Sequence, residues 1–118
     1  MKKALWLSRH ELNADQLVDL EKKMGDKVEV VMENITWQAT DDDAADYAAN
    51  VATWRRLVEE FAPDAVLGVF PPVALESVPY GMELFSPISR QNATVRADGT
   101  KQIVFEHVRW SRNLNRWR

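Results

Sequence analysis

The chain has 118 residues, a formal net charge of −3 at pH 7, 46% hydrophobic residues and no cysteine. That length suits one domain that can bury a core without staples. The missing cysteine excludes a disulfide framework, a thiolate metal site and a Cys nucleophile, and the acidic balance argues against a general binder of long nucleic acid.

The first strand is predicted over Lys3 to Leu7 and stops at Ser8-Arg9-His10. An apolar run that delivers a hydroxyl, a guanidinium and an imidazole at its C-terminal end suits an anionic ligand. In open α/β sheets that edge binds ligands, arginine offers a fixed fork of donors for phosphate, and histidine moves a proton near neutral pH. Asn13 then makes a good N-cap, with Gln16 completing a capping box. Leu17, Leu20 and Met24 follow at helical spacing, and Gly25 suits the helix end. A second strand covers Val28 to Met32, with a possible extension to Ile35, followed by a polar connection through Asn34, Thr36 and Trp37.

A long helix is predicted from Asp43 to Phe61, with Thr40 to Asp43 at its start, where the helix dipole favours acidic side chains. Tyr47, Val51, Trp54, Val58 and Phe61 form its expected buried stripe. Ala65 to Phe70 is an almost wholly apolar third strand, as a central parallel strand should be. Pro71-Pro72 stops it, and Val73 to Val78 is a short helix with Pro72 at its first position. A fourth strand covers Met82 to Pro87, with Ser86 to Gln91 as the loop after it. The last part is a hairpin, Thr94-Val95-Arg96 and Ile103 to Trp110, turning through Asp98-Gly99.

The expected architecture is therefore one α/β domain, a small Rossmann-like, mostly parallel sheet flanked by helices with a C-terminal β-hairpin. It spans residues 1–112, with 113–118 a loosely ordered basic tail. No apolar run is long enough to span a bilayer and the first residues do not form a secretory signal, so a cytoplasmic protein is expected. No glycine follows Ser8-Arg9-His10, so no dinucleotide fingerprint is present, and GxxxxGK[ST] is missing too. His10 and His107 are the only histidines, and no HExxH spacing occurs, so neither a metal nor a cofactor is expected. His107 falls in an alternating strand and is expected to be packed or surface-exposed. The Asp41 to Asp43 cluster is explained by helix-start electrostatics.

Three polar clusters converge at the carboxyl edge of such a sheet. They are Ser8, Arg9 and His10; Asn34, Thr36 and Trp37; and the loop Phe70-Pro71-Pro72. Ser89, Arg90 and Gln91 add to them. Two arginines among neutral donors describe a phosphate or phosphodiester site.

Two families share parts of this pattern. Leu7-Ser8-Arg9-His10-Glu11 resembles the first motif of the histidine phosphatases, in which Arg-His-Gly closes the first strand. Here Glu11 replaces the glycine, the chain is short for that fold, and no second His-Gly motif follows. Over most of its length the chain resembles the small CRISPR-associated ring nucleases of type III systems, which are related to CARF sensor domains. The likeness lies in Ser8-Arg9-His10 followed by Leu12-Asn13-Ala14-Asp15-Gln16, and in the ending Leu84-Phe85-Ser86-Pro87-Ile88-Ser89-Arg90 with Phe105-Glu106-His107-Val108-Arg109-Trp110. It is a likeness of pattern and architecture, without a diagnostic motif.

That resemblance implies a homodimer that binds a cyclic oligoadenylate, the four-membered ring first among the candidates, across its two-fold axis. It implies metal-independent cleavage by the ribose 2′-hydroxyl, which switches off type III CRISPR signalling. His10 is then the acid, with Arg9 and Ser8 beside it as catalytic residues. Asn34, Thr36, Phe70, Pro71, Ser89, Arg90 and Gln91 bind the ligand. The alternatives are a non-catalytic nucleotide-sensing or sequestering domain of the same fold, and a small His-dependent phosphatase.

Overall fold

The computed structural model describes residues 1–113. Five strands form one mixed sheet in the order β2-β1-β3-β4-β5. They are β1 (Lys2–Trp6), β2 (Val28–Met32), β3 (Ala65–Leu67), β4 (Leu84–Val95) and β5 (Lys101–Asn113), with helices α1 (Ala14–Met24), α2 (Asp43–Phe61) and α3 (Pro72–Ser77) between them. The first four strands are parallel and β5 is antiparallel to β4. The expected α/β architecture with three adjacent parallel strands and a closing hairpin is thus present.

β1 lies between β2 and β3 and is covered on both faces, which is why Ala4, Leu5 and Trp6 run apolar without alternation. The covering comes from two separate cores. On one face Ala4, Trp6, Leu67, Phe85 and Trp110 pack under Leu20 and Met24 of α1. On the other, Leu5, Val66 and Leu84 pack under Trp54 and Leu57 of α2 and Ala74 of α3.

α1 begins as its sequence dictates. The Asn13 side chain accepts from the Gln16 backbone N–H at 2.8 Å, and the Gln16 side chain accepts from the Asn13 N–H at 3.0 Å. Gly25 ends it at φ 72°, a left-handed conformation that glycine adopts without a Cβ clash.

α2 has the expected bounds but a rotated buried face. Asp46, Asn50, Trp54 and Leu57 are its buried residues, while Tyr47 is exposed. The rotation has a polar cause. Asn50 exchanges two hydrogen bonds with the backbone of Gln38, at 2.8 and 2.9 Å, and the Asp46 carboxylate accepts from the Thr40 N–H and hydroxyl. These side chains hold down the irregular segment between β2 and α2, and buried backbone groups need such partners. Trp54 donates its indole N–H to the Ala74 carbonyl at 3.0 Å, fixing α3 against α2.

The end of the chain departs from expectation. β4 does not stop at Pro87 but continues to Val95, paired with β5 throughout. Ser89, Arg90 and Gln91 are therefore strand residues, not loop residues. β3 ends opposite Phe85, so the later part of β4 has only β5 beside it, a setting where Pro87 is tolerated. Between Ile88 and Ser89 the register shifts, leaving Val108 as the extra residue of a β-bulge. Beyond the bulge the two strands form an arm that projects past the carboxyl edge of the sheet. β5 runs through Asn113, and the rest of the expected tail, 114–118, lies outside the described residues. No helix among the described residues is long and apolar enough to cross a membrane.

Candidate functional site

The connection after β1 leads to α1 on one face, and the connection after β2 leads to α2 on the other. The carboxyl ends of β1 and β3 therefore flank the point where the chain leaves the sheet in opposite directions, the usual position of a ligand crevice in an open α/β sheet. Leu7 still belongs to the sheet, since its N–H donates to the Leu67 carbonyl at 2.9 Å. Ser8, Arg9 and His10 follow it directly, so the strand places them at that edge as expected.

Two of the predicted clusters meet. With the Asn34 amide turned so that its oxygen faces the guanidinium, Arg9 donates to it through Nη2 and Nε at 3.2 and 3.3 Å. Arg9 is exposed, and of its five N–H donors three remain for a ligand. Asn34 thus orients the arginine and holds its guanidinium in one direction.

His10 is held by its backbone and left open at its ring. Its N–H donates to Ser8 Oγ at 3.1 Å, and its carbonyl accepts from the indole N–H of Trp6. The imidazole itself is exposed and has no hydrogen-bond partner among the described residues. Ser8 is therefore occupied in shaping the turn, with the hydroxyl proton still free to be donated. A fixed turn that carries an oriented guanidinium and, on the next residue, an open imidazole has the groups to bind an oxyanion and to hand on a proton.

The aromatic side of the edge comes from the other core. Phe70 stacks on the buried Trp54 at 6.1 Å between centroids, and Trp37 lies on the same indole at 4.8 Å. Gly68 lies beside this ring, where a Cβ would meet Leu7 Cβ at 3.4 Å and the Phe70 ring at 3.6 Å, ordinary van der Waals contact. Pro71 serves as N-cap of α3 and accepts from the Ala74 and Leu75 N–H groups, so its loop is fixed. Thr36 is exposed in the segment between β2 and α2.

Ser89, Arg90 and Gln91 cannot all face one ligand. Side chains alternate along a strand, so Ser89 and Gln91 share the α1 side and Arg90 points to the α2 side. Ser89 is opposite His107 and Gln91 opposite Phe105.

Sequence reasoning did not foresee the second histidine's partner. His107 Nε2 lies 3.2 Å from Asp19 Oδ2, and the same oxygen accepts from the Trp110 backbone N–H at 3.1 Å. The His107 side chain is buried, its Nδ1 unpaired among the described residues. Together with the Trp110 indole, which donates to the Gln16 carbonyl at 2.8 Å, this pair roots the arm on α1. A residue pair 88 positions apart leaves no local signal.

A groove of about 540 Å³ lies elsewhere, between α2 and the segment after α3, lined by Tyr47, Val51, Val58, Val78, Tyr80 and Met82 among others. None of the expected site residues lines it. Among the described residues no group of three or more His, Cys, Asp or Glu side chains is placed to hold a metal ion. Comparison with protein families, with curated proteins and with solved structures finds no match to this chain.

Proposed function

We propose that this chain is a Rossmann-like ring nuclease, a homodimer that binds a cyclic oligoadenylate and opens it without a metal ion. The observation that carries the reading is an Arg9 guanidinium aimed by Asn34, followed in the chain by the exposed His10 imidazole, at the carboxyl end of β1. The parallel order β2-β1-β3-β4 supports the fold assignment. The likeness of the first turn and of the closing strands to ring nucleases supplies the substrate class.

The chemistry follows from the ligand. The ribose 2′-oxygen attacks the adjacent phosphorus and gives up its proton to solvent. The new P–O2′ bond forms as the P–O5′ bond breaks, leaving a 2′,3′-cyclic phosphate and a 5′-hydroxyl. Arg9 neutralises charge on the phosphoryl oxygens, and protonated His10 supplies the proton that the 5′-oxygen takes as it leaves. Phe70 and Trp37 offer ring faces or edges for adenine. A symmetric dimer presents the same groups to both halves of a symmetric ring.

The test is incubation of the purified protein with cyclic tri-, tetra- and hexa-adenylate in EDTA, followed by chromatography of linear products. His10→Ala should slow ring opening by about 10²-fold, in the usual range for an acid–base group, while binding changes little. Arg9→Ala should weaken binding, most visibly at low salt. Near wild-type turnover by His10→Ala removes the histidine from the mechanism. Tight, stoichiometric retention of intact ligand identifies a sequestering domain instead.

A further inference from the structure

The arm, Ser89–Val95 of β4 with Lys101–His107 of β5, has one mostly polar face, which also carries Val104, and one face that is apolar beyond Ser89 and Gln91. On the polar face Asn92 donates to Glu106 at 3.0 Å and Arg96 donates to Gln102 at 3.3 Å, so side chains satisfy one another across the strands. The other face is fixed by His107, which touches Asp19 and so marks the α1 side. Alternation puts Phe105 and Ile103 on that side, and the register adds Ala93 and Val95. Phe105 is 71% exposed, Val95 70% and Ile103 56%. An isolated two-stranded ribbon is marginal in water, so this face calls for a cover.

α1 rises from the same side as a wall. Asp15, Val18 and Asp19 share one stripe of the helix by their three- and four-residue spacing. Asp19 touches the arm root, and Val18 is 54% exposed. Floor and wall form a notch with acid at its root and a cation, Lys101, at the far end of its apolar floor.

We propose that this notch receives a second copy of the chain. The two arms pack apolar face on apolar face, antiparallel about a two-fold axis, about 10 Å apart as stacked sheets are. The charge layout selects this occupant. An antiparallel two-fold arrangement lays each tip on the partner's root, so Lys101 meets the partner's Asp15 and Asp19 twice. The arms alone are too small an interface. Lys101 to His107 spans about 20 Å, and a ribbon two strands wide offers roughly 200 Å² in projection. A stable dimer buries about 800 Å² per partner. Laying the tip against the α1 wall extends the contact beyond the ribbon, which face-to-face arms alone do not. The inference goes beyond the proposed activity, which needs a two-fold dimer but names no surface that holds it together. It rests on that dimer: a dimer indifferent to the arm variants fails this inference alone, and an arm-held dimer that neither binds nor opens the ring fails the proposed activity alone.

Sedimentation of the full chain should show a dimer at micromolar concentration. Phe105→Ser with Ile103→Thr should raise its dissociation constant by roughly thirtyfold or more, as loss of a central aromatic anchor does. Lys101→Glu should weaken the dimer, and adding Asp15→Lys should restore it. That charge swap keeps the test intact if the apolar variant fails to fold. The chain has no cysteine, so Ala93→Cys should cross-link to its counterpart through a short bismaleimide. A wild type that stays monomeric at micromolar concentration overturns the proposal, as does a dimer indifferent to the arm variants. Absence of the Ala93→Cys cross-link, or a Lys101→Glu variant that Asp15→Lys does not rescue, counts against it equally.

Discussion

The body of the sheet and the arm share one ladder of β4–β5 hydrogen bonds but differ in what lies above and below it. Leu84 and Phe85 belong to two cores on opposite faces and are fully buried. Twenty residues later in the same hairpin, Val104 and Phe105 stand in solvent. Backbone pairing is therefore common to both regions, and side-chain burial is what separates them. Each net hydrogen bond contributes about 0.5–1.5 kcal/mol, whereas burying one large apolar side chain contributes roughly 1.5–3 kcal/mol. On that basis the body should open only with the whole fold, and the arm should open locally.

The largest test lies in the body. Trp54 is fully buried and donates to the Ala74 carbonyl, so Trp54→Ala should lower the unfolding free energy by about 3–5 kcal/mol. Urea denaturation measures it, and a loss below about 1 kcal/mol would mean that α2 is not a principal cover of the sheet.

Asp19→Ala acts at the junction. It strips a partner from His107 and from the Trp110 N–H, at a cost of about 1–3 kcal/mol. Amide exchange should rise near Trp110 and along the arm while β1 and β3 stay protected. Uniform loss of protection would show that arm and body open together.

The smallest effect is at the tip. The Asp98 carboxylate accepts from the Thr100 hydroxyl at 2.7 Å and from its N–H at 3.0 Å. The Thr100 side-chain bond first, then the backbone bond, holds Asp98 below the usual aspartate range. Ordering of the turn by this group is thus complete above the ordinary aspartate pKa and is lost as pH falls through the lowered value. Asp98→Ala should speed exchange at Gly99 and Thr100 at neutral pH without moving the melting temperature. In acid, variant and wild type should converge.

What the sequence disclosed follows the same division. Asn13, Gln16 and Gly25 announce α1 because caps and left-handed ends are local chemistry. The apolar runs Ala4 to Trp6 of β1 and Ala65 to Leu67 of β3 are legible because burial on both faces leaves its mark on every residue. Ser89 to Gln91 read as a loop because three consecutive polar residues show no apolar alternation, and their pairing with residues 105–107 is set across the turn. α2 shows its length but not its orientation, since Asn50 and Asp46 are buried by hydrogen bonds to Gln38 and Thr40. At the candidate site, Ser8-Arg9-His10 is visible as a polar exit from a strand. The Arg9–Asn34 contact is not, because it depends on β1 and β2 lying side by side.

Trp110 sits among the residues of the α1-side core, and its backbone N–H reaches Asp19 across 91 positions of sequence. A chain that emerges from the ribosome N-terminus first therefore makes β1 and α1 well before Trp110 arrives to complete their cover. Until residue 110 is out, Trp6, Leu20 and Phe85 have an open side. Folding of this face therefore waits for residue 110, with a rate limited by closure of one long loop rather than by formation of its helix. Truncated nascent chains ending before β5 are the species most exposed to aggregation.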